Sequence, residues 1–188
     1  MKSSYKNKNE KTNVTKKISK GTDLIYIKNI LTEKIQIEFK NINSNLEETL
    51  ESILKKNEGK CLREGYIKPN SIKLLSYSSG ELYSNNVEFQ VVYECLVSDP
   101  VESMLLNCIV KSITKIGIRA ELNDEISPFL IFLAQDHHYN NETFIKLKVN
   151  DIINIKVIGK RFELNDNYIS IIGELDNFDK RETLKNEL

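Results

Sequence analysis

The most regular alternation of apolar and polar positions lies between Asn107 and Leu122. Cys108 and Val110 fall on one face of a first run. Ile116, Ile118 and Ala120 fall on one face of a second, and a tight turn joins the two. This is the period-2 signature of half-buried strands. Gly117 sits inside the second run, where a glycine marks a bulge, a bend or a close backbone approach. Small barrels need such bends, because their strands must coil to close. Further apolar runs follow at Phe129–Leu133, Asp151–Gly159 and Tyr168–Leu175. The polar stretch Asp136–Thr143 predicts a loop or short helix between strands, and Asn165-Asp166-Asn167 predicts a hairpin turn. Five strands in about 75 residues suit an OB-type barrel, whose exposed strand face and loops bind oligonucleotides.

Upstream the pattern differs. Leu24–Phe39 alternates through Ile25, Ile27, Ile35, Ile37 and Phe39, with a break near Thr32-Glu33-Lys34. It predicts one long or two short strands. Ser44 followed by Glu47 forms a capping box, in which each side chain satisfies the other residue's amide. Leu46, Leu50, Ile53 and Leu54 then recur at helical spacing and form one apolar stripe. Asn57 or Gly59 ends that helix. Strands are expected over Lys60–Lys68, Ser71–Tyr77 and Val87–Val97, with Ser78–Asn86 as a loop. In the last strand Val87, Phe89, Val91 and Tyr93 alternate with Glu88, Gln90 and Val92. Ser98-Asp99-Pro100 closes this unit. The expected organisation is a basic tail over 1–22, a strand-helix-sheet domain over 23–99, an all-β barrel over 100–175 and a charged segment over 176–188. The fold class is α+β.

Charge changes this picture only locally. Lys+Arg and Asp+Glu both number 27, so global charge does not point to nucleic acid. The first 22 residues, however, hold seven lysines against Glu10 alone. With almost nothing apolar to bury, they are expected to form a solvated tail or a basic arm for nucleic acid or an acidic partner. No apolar run approaches the ~20 residues of a membrane span, and the N-terminus lacks a signal-peptide core. The final Lys185-Asn186-Glu187-Leu188 looks a little like a retention signal, which has no meaning without a signal peptide. Cys61, Cys95 and Cys108 show no CxxC spacing, and an odd count favours packed, reduced thiols.

Catalytic chemistry is nearly absent. There is no Gly-rich phosphate loop, HExxH or GxSxG. His137 and His138 are the only histidines. Adjacent histidines point apart on a strand, so beside Asp136 they read as a polar surface loop and not as a metal site. Neither a metal nor a cofactor is expected.

Taken in order, these parts resemble the stalk subunit of multisubunit RNA polymerases, the seventh-largest subunit in eukaryotes, and its archaeal counterpart. The resemblance covers residues ~23–175. It rests on Glu58-Gly59-Lys60-Cys61 followed by Gly65-Tyr66-Ile67, on Glu88–Tyr93, on Pro100 at the junction and on the S1-like barrel. The Ile113–Ile118 stretch and the Asp136–Tyr139 loop are most similar to versions encoded by large DNA viruses such as mimiviruses.

The resemblance implies a non-catalytic subunit working inside the cell with the transcription machinery: a viral factory or virion if viral, the nucleus otherwise. In the family, the N-terminal tip domain wedges against the polymerase core near the clamp. Both domains bind the fourth-largest-type subunit, and the barrel faces nascent single-stranded RNA. Carried onto this chain, the docking loop is Ser79, Gly80, Glu81, Leu82, Tyr83 and Asn85. The RNA-facing positions are Ile116, Ile118, Arg119, Phe132, Lys156 and Arg161, and Lys111, Lys115 and Lys160 join the arginines in reaching phosphates. Strong RNA-binding S1 domains carry aromatics beside the strand glycine and a histidine on the next strand. Here Ile116, Arg119 and Phe132 stand at about those places, so stacking, worth ~1–3 kcal/mol per aromatic, is largely missing. With 8 basic and 10 acidic residues over 101–175, weak and salt-sensitive RNA contact is the expectation. The alternative is an S1-domain RNA-binding accessory protein in translation or RNA decay, which would not need the N-terminal unit.

Overall fold

The computed structural model describes residues 25–42, 45–123 and 127–176. The expected basic tail, Ser44 of the capping box, and the charged segment after Asp176 lie outside these residues. Among the described residues the chain is mostly β, with two short α-helices.

Strand β1 (Ile27–Glu38) is one unbroken strand. It pairs antiparallel with β6 (Asn86–Ser98) over its whole length, from Ile27 opposite Val97 to Glu38 opposite Asn86. The expected break at Thr32–Lys34 does not occur. The long partner strand continues the ladder through this stretch, whatever the side chains. Of the five alternating apolar residues only Ile25, Ile35 and Ile37 are buried. Helix α1 (Leu46–Leu54) starts after Asn45, carries Glu47 and Glu48 in its first turn, and continues as a 3-10 turn to Asn57. It buries Leu50 and Leu54 among Ile35, Ile37, Val87, Phe89, Val91 and Tyr93, with Leu46 and Ile53 at the edge. Each fully buried leucine contributes about 1.5–3 kcal/mol. The helix does not reach Ile27, which stays exposed.

On the other side of β6 lie β5 (Glu81–Tyr83), β4 (Lys73–Tyr77) and β3 (Gly65–Ile67), with β2 (Cys61–Leu62) beyond β3. The expected strand Lys60–Lys68 is thus a tight hairpin. Gly65 allows it: its φ is +126°, and a Cβ there would stand 2.5 Å from the Ser98 carbonyl oxygen.

The second half closes into a five-stranded barrel of β7 (Leu105–Thr114), β8 (Gly117–Leu122), β9 (Phe129–Ala134), β10 (Ile152–Arg161) and β11 (Ile169–Leu175), in the order β10-β11-β9-β8-β7. β9 and β11 are parallel, and the other pairs are antiparallel. Cys108, Val110, Ile118, Ala120, Ile131, Leu133, Ile155 and Ile171 fill its interior. Register shifts at Val110/Ser112 and Val157/Gly159 bend the wall, as a small closed barrel requires. Gly117 begins β8 with φ +154°, where a Cβ would collide with the Leu133 carbonyl oxygen. Its role is the close backbone approach.

Between β9 and β10 run a 3-10 turn and the short helix α2 (Glu142–Lys146), whose cap Asn141 accepts from the amides of Thr143 and Phe144. His137 is exposed, but His138 is not on a surface loop as expected: it is 5% exposed. Its Nε2 accepts the Leu175 N–H at 2.9 Å, and its Nδ1 lies 2.7 Å from the Ala134 carbonyl. The ring stacks on Phe144 at 4.3 Å between centroids. The polar neighbours hid this role, because burial here is set by β11, distant in sequence.

Candidate docking and nucleic-acid surfaces

The distal end of the β1–β6 ribbon carries the first candidate surface. Most of the expected loop Ser78–Asn86 is a hairpin, with β5 returning through Ser84 and Asn85 to β6. Ser78 anchors its base: its amide donates to the Gln90 carbonyl, and its hydroxyl accepts the Gln90 amide. Gly80 follows, and a Cβ on it would strike Val87. Ser79, Gly80, Glu81 and Asn85 are exposed. So are Leu82 at 77% and Tyr83 at 66%. Phe39, 67% exposed, joins them, because its amide donates to the Asn85 carbonyl and holds it beside the turn. Phe39, Leu82, Ser84 and Asn85 share one open cleft with Glu38 and Lys40. Sequence reasoning missed Phe39 by counting it in the buried alternation. The alternation could not reveal this, because β1 ends at Glu38 and Phe39 already begins a 3-10 turn.

Polar contacts stiffen the ribbon beneath this end. Lys34 donates to Glu88 at 2.7 Å and Gln36 donates to the same carboxylate at 3.0 Å. These hydrogen bonds hold the Glu88 carboxyl below its ordinary range, and the Glu88 bond holds the Lys34 ammonium above its own.

The barrel wall is the second candidate surface. Strand register sets Arg119 beside Phe132, and Phe132 beside Ile172, in one row across β8, β9 and β11. Arg119 and Ile172 are exposed and Phe132 is half-buried. Ile172 was not anticipated; its alternation with buried Ile171 was the available signal. Lys115 and Ile116 form the turn between β7 and β8, both exposed. Ile116 therefore does not share the inward face of Ile118 and Ala120, since the turn precedes the strand. Ile118, expected on the RNA face, points into the core and is 1% exposed. The alternation that buries Ala120 also buries it. Arg161 sits opposite Ser170, one alternation along β11 from Ile172. Lys156 lies opposite Glu174, one alternation along β11 from Ile172 in the other direction, so the two cations flank the row at opposite ends.

Carboxylates occupy most of the candidate cations. Arg119 bonds Glu121 at 2.9 Å, and Lys111 is 4.0 Å from the same residue. Lys156 meets Glu174 at 3.5 Å and Arg161 meets Glu163 at 3.1 Å. Lys160 is paired with Asp99. Lys115 has no ion pair among the described residues. Exposed pairs of this kind are weak, on the order of 0–1 kcal/mol, so phosphates could displace them, but they leave little free positive charge.

Among the described residues no cluster of His, Cys, Asp and Glu could hold a metal ion. All three cysteines are free and buried. Burial pushes the Cys61 and Cys95 thiols up to about 11 and the Cys108 thiol to about 12. Such thiols are poor nucleophiles, because the reactive species is the thiolate. No helix among the described residues is long and apolar enough to cross a membrane.

No family model matches the chain. It is similar to a protein of Acanthamoeba polyphaga mimivirus that carries the provisional name of DNA-directed RNA polymerase subunit L376. The two are 24% identical over 165 residues, which cover 80% of this chain and 82% of the viral protein. A match of that extent must draw on both the sheet unit and the barrel, since neither is long enough to supply it alone.

Proposed function

We propose that this chain is an accessory subunit of a DNA-directed RNA polymerase, of the stalk type. In this reading the sheet unit is the tip domain, and the barrel is an S1-like OB fold beside the path of nascent RNA. The subunit itself catalyses nothing. The observation that carries the reading is an apolar, exposed tip at the end of an open sheet, followed by a closed five-stranded barrel, in a chain similar over most of its length to a protein named as a polymerase subunit. Exposed apolar clusters of this kind mark protein contacts. A free-standing RNA-binding accessory protein would have no use for that tip. The tip docks on the large subunits, and a fourth-largest-type subunit binds along both units. Arg119, Phe132, Ile172 and the Lys115–Ile116 turn touch single-stranded RNA loosely, and Arg161 flanks them. Lys156 flanks them at the other end of the row, opposite Glu174.

The test is purification of the tagged chain from its native source under mild conditions. Large polymerase subunits should accompany it in stoichiometric amount, and replacing Phe39, Leu82 and Tyr83 by serine should remove them. Recovery of ribosomal or RNA-decay proteins in their place would overturn the assignment.

A further inference from the structure

Two units joined by a short linker are expected to move relative to one another unless their interface is extensive and apolar. Here several independent features oppose such motion. The β2 edge of the sheet does not end in solvent: the Cys61 N–H donates to the Asp166 carbonyl at 2.7 Å, and the Asn165 N–H donates to the Cys61 carbonyl at 2.8 Å. Cys61 is thereby stitched on both sides of its peptide to the turn between β10 and β11. Ile25, Cys61 and Tyr66 come from the sheet unit but are buried in the core of the barrel. The Ser98 hydroxyl donates to the Ile25 carbonyl at 2.9 Å, closing the base of β1 against β6. The linker is also pinned. Asp99 is paired with Lys160, the Ser103 amide donates to the Val157 carbonyl, and the Val157 amide donates to the Met104 carbonyl.

We infer that the contact of Cys61 with the Asn165–Asp166 turn is a clamp, not a hinge, so that sheet unit and barrel turn as a single body. Opening a hinge here would expose the apolar side chains of Ile25, Cys61 and Tyr66 and leave two backbone pairs unmade. Each costs free energy separately. The consequence rests on the reading above: once the tip is docked, the row Arg119–Phe132–Ile172 has a fixed direction, and its aim is set by the core. The rigidity itself does not depend on that reading.

Two measurements on the isolated full chain test it. In residue-resolved amide exchange, the Cys61 and Asn165 amides should be protected to within tenfold of Val91, in the centre of the sheet, and Ile131, in the barrel wall. Exchange more than tenfold faster at these two amides, with Val91 and Ile131 still protected, would overturn the clamp. Spin labels at Leu82→Cys and Lys115→Cys should give one narrow distance distribution, the buried native thiols remaining unlabelled. A broad or two-peaked distribution would overturn it equally. Neither measurement involves polymerase, so failure here and failure of the functional assignment are separate results.

Discussion

Nε2 of His138 accepts the main-chain N–H of Leu175 at 2.9 Å, tying the connection after β9 to the end of β11, the last strand of the barrel wall. An accepting Nε2 places the proton on Nδ1, where it donates to the Ala134 carbonyl. One neutral tautomer thus satisfies two backbone groups, the Leu175 amide buried and the Ala134 carbonyl half-buried. His138→Phe should keep the stack on Phe144 but leave both groups unpaired, at a cost of about 1–3 kcal/mol. His138→Ala also loses the ring, and should cost about 3–5 kcal/mol. Urea unfolding of both variants gives the comparison. Ring nitrogen shifts in the native protein should report the Nδ1–H form.

Gly117 and Gly159 make opposite predictions. Gly117→Ala must drive a methyl into the Leu133 carbonyl oxygen at φ +154°, and should destabilise by about 1–3 kcal/mol. A Cβ at Gly159 meets nothing within 4 Å. Gly159→Ala should be neutral, or stabilising by about 0.4–1 kcal/mol through the unfolded chain. Equal losses in the two variants would show that the barrel closes differently at β8.

The thiols set an alkaline limit on stability. Their folded-state values of about 11, 11 and 12 lie above the ordinary 9.0. As pH rises, the unfolded chain releases these protons first, so this contribution is complete below about pH 9 and is lost between about 9 and 12. Thermal midpoints measured from pH 8 to 11 should fall across that window. Substitution of Cys108 by alanine should weaken the slope. At neutral pH all three cysteines should resist alkylation in the native protein and react once it is denatured.

RNA contact should be weak and steeply dependent on salt. Removing Lys115 and Arg119 together deletes at most two phosphate contacts, which lowers the slope of log affinity against log salt by about 1.4 for a single strand. Phe132→Ala should cost about 1–3 kcal/mol if one base stacks there. Removing Lys156 as well, which flanks the row opposite Glu174, should lower the slope by about 0.7 more. Fluorescence anisotropy with a labelled oligonucleotide at several salt concentrations separates these outcomes. An unchanged slope in the Lys115/Arg119 variant would remove this wall from the RNA path.

Exposed tip residues should be dispensable for folding. Serine at Phe39, Leu82 or Tyr83 should alter stability by no more than about 0.5 kcal/mol each, while association with polymerase is lost. Denaturant midpoints measured beside the purification yield check that pairing.

Elements whose signal is local were legible in the order of residues alone. Leu50 and Leu54 at i, i+4 spacing mark α1, and the alternation Val87–Tyr93 marks β6. The five apolar runs after Pro100 mark the barrel strands, because side-chain direction repeats every two residues in a strand and every 3.6 in a helix. What those elements meet was settled by the folded chain. β1 runs unbroken because β6 is long enough to pair with all of it. Phe39 is exposed because the strand ends at Glu38 and the chain turns there, out of the buried alternation. Ile118 is buried and Ile116 is not, because the turn ends between them. His138 is a core residue because β11 brings the Leu175 amide to it from 37 positions away. The pairing of Arg119, Lys156 and Arg161 with carboxylates was equally hidden, since a cation's free charge depends on its neighbours in space and spacing along the chain does not record them.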